Sequence, residues 1–223
     1  MSGFGSGMLI TLFIVPVIGP KAVVPVMSVL MLINNGSRVW FYRHAINYKK
    51  IVLMVIPAIP AVVIGAHIYV RLESNVIQIL LGIILILLVP IRRWISGKKI
   101  EAGTKTLLVG GAFFGFLSSI MVGAGTLVIP LLMGAGLLGP ALLATDAALA
   151  VIVNLSKVVV FGKLDALTTP FFFLAVGMGI CTIPGTWVAS VIIKKTDIKI
   201  HTIFIEILIV LGGGSMIARS VMG

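Results

Sequence analysis

Residues 121–127 read Met121-Val122-Gly123-Ala124-Gly125-Thr126-Leu127, and residues 1–7 read Met1-Ser2-Gly3-Phe4-Gly5-Ser6-Gly7. Shifted by 120 residues, Gly3 and Gly5 fall on Gly123 and Gly125. The same shift carries Gly19-Pro20 onto Gly139-Pro140, Asn34 onto Asn154, Arg43 onto Lys163 and Gly65 onto Gly185. The shared residues are mostly glycine, proline and asparagine, which shape helix ends and breaks. A hydrophobic chain written twice, with its interruptions in register, has the pattern of a secondary transporter whose substrate sits where the interruptions meet.

Composition sets the solvent. Hydrophobic residues make up 60% of the 223 and charged residues 10%, with a mean hydropathy of +1.24. Soluble domains carry about 25% charged residues, so this chain cannot cover a water-facing surface and its solvent is lipid. The net charge of +11 sits mainly at the ends of apolar segments, as the positive-inside rule requires, which argues against nucleic acid as the partner. The chain opens without the basic head and long apolar core of a secretory signal. The single cysteine, Cys181, lies in an apolar run and reads as a small packing residue.

Apolar segments long enough to cross a bilayer run over 20–42, 46–71, 75–95, 139–161, 166–193 and 199–219. A glycine-broken segment precedes the first span of each copy, at 1–18 and 104–138. The predicted fold is an all-α polytopic membrane protein of two tandem repeats, each a broken helix followed by three transmembrane helices. The first repeat is 1–95, a basic cytoplasmic linker is 96–105, and the second repeat is 106–223. The first copy has no counterpart of residues 104–122 ahead of its glycine motif, so either that segment is lost or the true start lies upstream.

Two topologies stay open. If the broken segments are re-entrant, the copies are inverted, and 11 basic residues face one side against 4 on the other. If they cross fully, the copies are parallel and the count is 10 against 5. Both obey the positive-inside rule and both leave the linker cytoplasmic.

The glycine breaks Gly3, Gly5, Gly123 and Gly125 let backbone approach a ligand, and a helix starting inside the membrane offers an anion its unpaired N–H groups. Ser6, Ser118, Ser119 and Thr126 add hydroxyls beside them. Close helix packing by small residues is the competing reading. Within the spans stand Asn34, Arg38, Thr145, Asp146, Asn154 and Lys157. Charges at depth are costly and are usually paired or functional. Asp146 and Lys157 share a helix face but sit about 16 Å apart along the axis, so each needs a partner elsewhere. Asp146 is a proton-coupling candidate or half of a static ion pair. Arg38 and Lys157 either balance a bound anion or snorkel to the interface. Asn34 and Asn154 would orient a substrate oxygen or bridge helices. The histidines are dispersed and no nucleophile or metal-ligand spacing appears, so no enzyme, cofactor or metal site is predicted.

The run Gly123-Ala-Gly125-Thr126-Leu-Val-Ile-Pro130-Leu-Leu, followed by Gly139-Pro140 and Ala144-Thr145-Asp146-Ala147, resembles the sulfite exporter TauE/SafE family. The first half matches more weakly, through Gly3-Phe-Gly5-Ser6-Gly7, Pro16, Ala22 and Ser28. The resemblance implies a multi-pass transporter of the cell membrane that carries sulfur oxyanions or small organosulfonates. Asp146 stands where that family often has a hydroxyl. Expected partners are a small anion, the lipid bilayer and, in an oligomer, further copies of the chain. A passive channel and a structural or assembly subunit are the alternatives.

Overall fold

A backbone in lipid finds no water to bond, so a chain this apolar must close its hydrogen bonds within each segment, and helices do so. The computed structural model describes residues 6–96, 101–193 and 198–222, with the side chains of 6, 92, 93, 95, 96, 183–193, 198–205, 221 and 222 outside that description. The helices are α1 (Ser6–Ile18), α2 (Pro20–Tyr42), α3 (Tyr48–Arg71), α4 (Ser74–Ser96), α5 (Thr104–Ile120), α6 (Val128–Gly134), α7 (Gly139–Lys163), α8 (Thr169–Ile193) and α9 (Ile198–Met222). No strand occurs among the described residues. Six of these helices coincide, within a few residues, with the six predicted spans.

Among the described residues, four helices are long and apolar enough to cross a membrane: Pro20–Ala45, Tyr48–Arg71, Ser74–Ile91 and Gly139–Lys163. With an apolar surface that exposes Phe13, Phe41, Ile56 and Ile64, they make this an integral membrane protein. The glycine–proline pairs mark span starts. Gly19, at φ 78°, precedes Pro20 at the first position of α2, and Gly139, at φ 55°, precedes Pro140 in the first turn of α7. Proline there gives up an N–H that the helix end would leave unpaired anyway.

The segment 104–138 is a hairpin. α5 ends at Ile120, Met121 is extended, Gly123 turns left-handed at φ 96°, and a 3-10 turn (Ala124–Leu127) leads into α6. The return leg ends beside the starting point, because the Ala102 amide donates to Gly134 O at 3.1 Å. Lys50, at the start of α3, donates to Ala135 O on the same side. Of the two readings of this segment, the structure therefore has the re-entrant one.

Close backbone contact seats the hairpin. A Cβ built on Gly111 would lie 2.3 Å from Met54 O, and one on Gly115 2.3 Å from Ala58 O. Gly65 of α3 answers, with Phe116 O 2.8 Å from its own hypothetical Cβ. Small residues allow this approach, which is how helices gain contact where no hydrophobic effect drives them together. The pair α4 and α9 uses the same device at Gly82 and Gly213.

Helix directions follow from contacts at their ends. The starts of α3 and α7 meet where the Asn47 amide donates to Thr145 Oγ1 at 3.1 Å. Their far ends meet where the Tyr69 and Phe161 rings pack edge to face at 5.7 Å. Tyr69 OH also donates to Pro20 O at 2.8 Å, which puts the start of α2 at that far end. Helices α2 and α7, which the 120-residue shift superposes, therefore run antiparallel, and α2 packs against both α7 and α8.

Two outcomes check this architecture. Gly115→Ala forces a methyl into Ala58 O, and such overpacking costs about 1–3 kcal/mol; its melting temperature in detergent falls, whereas Gly162→Ala, with open space around it, leaves it unchanged. Equal melting of the two variants contradicts the packing. Second, in a Cys181→Ser background, Lys105→Cys and the exposed Leu138→Cys react with a membrane-impermeant maleimide from one side. Labelling from opposite sides contradicts the hairpin.

Candidate functional site

The helix break at 121–127 faces α2, α7 and the first described turn of α1 across a cavity of about 140 Å³. Its polar lining is Asn35 and Arg38 from α2, Ser118, Gly123, Gly125 and Thr126 from the hairpin, and Asp146, Asn154 and Lys157 from α7. Its apolar lining includes Met8, Met27, Met31, Phe114 and Met121.

Lys157 does not snorkel. It is 7% exposed, and its Nζ donates to Ser118 O at 3.0 Å. Ser118 lies in the last turn of α5, where carbonyls have no partner further along the helix and carry the negative end of its dipole. The ammonium therefore satisfies a helix end that lipid could not. Among the described residues no carboxylate comes within ion-pair distance of it.

The two other charged side chains on the cavity, Arg38 and Asp146, meet each other. Arg38 Nη2 stands 3.4 Å from Asp146 Oδ2, with the side chains 23% and 13% exposed. Charge-assisted bonds of this kind normally close to about 2.7–2.9 Å, so this one is long. Arg38 Nη1 is anchored more tightly, at 3.0 Å from Asn35 Oδ1. Asn35 is itself held by a bond from Nδ2 to Met31 O at 2.9 Å, which fixes its oxygen toward the guanidinium. On α7, Asn154 Nδ2 makes the equivalent bond to Ala150 O at 2.8 Å.

The hydroxyls bond within their own segments. Ser118 Oγ donates to Gly115 O at 3.0 Å and Thr126 Oγ1 to Gly123 O at 2.9 Å. This is the usual way hydroxyls rest in apolar helices.

Of the residues singled out from sequence, Arg38, Ser118, Gly123, Gly125, Thr126, Asp146, Asn154 and Lys157 line the cavity. Three others lie elsewhere. Ser119 is fully buried and bonds Gly115 O, on the side of α5 that faces Gly65. Thr145 is fully buried and ties the start of α7 to Asn47. Asn34 is off the cavity, and its neighbour Asn35 lines it instead. Gly3 and Gly5 fall outside the described residues, as does the side chain of Ser6.

Asn35 carried a legible signal. Asn35-Gly-Ser-Arg38 and Asn154-Leu-Ser-Lys157 are the same pattern, Asn-x-Ser-base, set 119 residues apart. The 120-residue register superposes the wrong asparagine. One residue along a helix is a rotation of about 100°, enough to move Asn34 off the face that Asn35 and Arg38 occupy.

Neither a curated protein nor a solved structure matches the chain. One family does, over residues 1–216, a stretch that holds the hairpin, both antiparallel helices and every lining residue of the cavity. The chain belongs to the sulfite exporter TauE/SafE family of membrane transporters.

Proposed function

We propose that this protein moves a small anion, a sulfur oxyanion or an organosulfonate, across the cell membrane, and that the anion binds between Lys157 and the Gly123 break. The observation that carries this reading is Lys157: a buried ammonium, on the cavity, with no described carboxylate to neutralise it. A charge held in lipid without a counter-charge is costly, and an anionic cargo supplies what is missing. Asn154, one turn away on the same face, orients an oxygen of that cargo. Gly125 leaves open space beside the break, and Gly7 of α1 lines the same cavity. The methionines and Phe114 would receive an apolar substituent.

Asp146 is the proton-coupling residue in this reading. It is the carboxylate on the cavity among the described residues, and taking up a proton would free Arg38.

Purified protein is heated with sulfite, thiosulfate, sulfate, methanesulfonate or chloride, since a ligand that binds the folded form raises its melting temperature by mass action. Selective stabilisation by sulfur-centred anions is expected. Removing one partner of a buried charge contact typically costs about 2–5 kcal/mol, so Lys157→Met weakens the selected anion at least about tenfold. Asn154→Ala removes about one hydrogen bond, worth about 1 kcal/mol, and weakens it several-fold. Full stabilisation by the same anions in folded Lys157→Met overturns the assignment.

A further inference from the structure

The cavity has two basic ends, and among the described residues an acid stands at one of them and not at the other. Resting on the reading of Lys157 as an anion site, the geometry points to a second anion subsite at Arg38, which Asp146 occupies as a built-in competitor. The two ends are built alike. Each places an asparagine three residues ahead of a base on the cavity face, with the asparagine Nδ2 bonded to its own helix four residues back. Helices α2 and α7 run antiparallel, so these two Asn–base pairs sit toward opposite ends of the cavity. Asp146, at the Arg38 end, is eleven residues from Lys157 on α7, about 16 Å along the axis.

The difference is the acid. The register that superposes the two Asn-x-Ser-base stretches, 119 residues, carries Asp146 onto Met27, and Met27 also lines the cavity. A thioether thus stands in one half where a carboxylate stands in the other. The carboxylate does to Arg38 what a bound anion would do. It is held loosely, by a single contact at 3.4 Å. Meanwhile the bond from Arg38 to Asn35 keeps the guanidinium aimed into the cavity if the carboxylate leaves. Arginine is suited to such an exchange, because its planar fork accepts a carboxylate or a tetrahedral oxyanion with the same geometry. An anion arriving at this end displaces Asp146 from Arg38, then moves on to Lys157.

The competitor lowers apparent affinity by the fraction of time it covers the site, so removing it tightens binding by about tenfold if Arg38 is free about a tenth of the time. The test isolates the Arg38 end with sulfite and methanesulfonate as probes, on full-length protein shown to be folded by its melting transition. Lys157→Met removes the first site. Adding Asp146→Asn, or Asp146→Ser should the amide variant not fold, uncovers binding that a further Arg38→Gln abolishes. That result establishes the second subsite. If Asp146→Asn alone binds as the unmodified protein does, and Lys157→Met with Asp146→Asn binds neither probe, the second subsite is overturned and the Lys157 site stands. If the unmodified protein binds neither probe, the anion reading of Lys157 fails and this inference falls with it.

Discussion

Lipid offers no hydrogen bond, and that single fact governs where this chain can break. A helix that stops inside the membrane leaves several carbonyls without partners. α5 stops at Ile120, and the structure closes its end piece by piece. The Met121 amide turns back to Leu117 O at 2.9 Å, and Lys157 reaches across from α7 to Ser118 O at 3.0 Å. Gly123 then reverses the chain in a left-handed conformation, where a Cβ would meet Met8 Cε at 2.3 Å. Side chain and break are mutually dependent: the ammonium needs carbonyls, and the carbonyls need a cation. In the proposed function an anion completes that arrangement, because the carbonyls neutralise the ammonium only in part.

The same constraint explains why the hairpin rests on α3. A re-entrant segment needs a rigid wall, and Gly111, Gly115 and Gly65 let the two backbones touch. Lys50 and Ala102 pin the open end of the hairpin at Ala135 and Gly134. The break is thus held at its tip by one lysine and at its base by another. Helices α2 and α7 complete the cavity from opposite directions, and Arg38–Asp146 is the ion pair across their contact among the described residues.

Much of this was legible in the residues. The spans could be read because lipid imposes one length and one hydropathy on all of them, and Gly19-Pro20 and Gly139-Pro140 mark span starts with residues few other sites tolerate. The need of Asp146 and Lys157 for partners on other helices was legible too, from spacing alone. What was not legible was identity of face. Thr145 reads as a site residue by its neighbourhood, yet it serves the Asn47 amide; Ser119 faces the α3 side of its helix. Asn34 and Asn35 are adjacent in sequence but about 100° apart around the helix, and the glycine-anchored register chose between them wrongly for the cavity. The choice between crossing and re-entrance also escaped charge counting, because both topologies satisfied the positive-inside rule. It was decided by a backbone hydrogen bond, Ala102 to Gly134, which no composition encodes.

The most direct test of the account is where an anion lies. Selenite is a heavier counterpart of sulfite, and its selenium gives an anomalous signal that locates it without ambiguity. Crystals of the protein grown with selenite should show that signal within hydrogen-bond reach of Lys157 Nζ, between α7 and the Gly123 break, and should lose it in Lys157→Met. A selenium site away from this cavity, or one that persists at the cavity without the lysine, would contradict the claim that Lys157 holds the cargo.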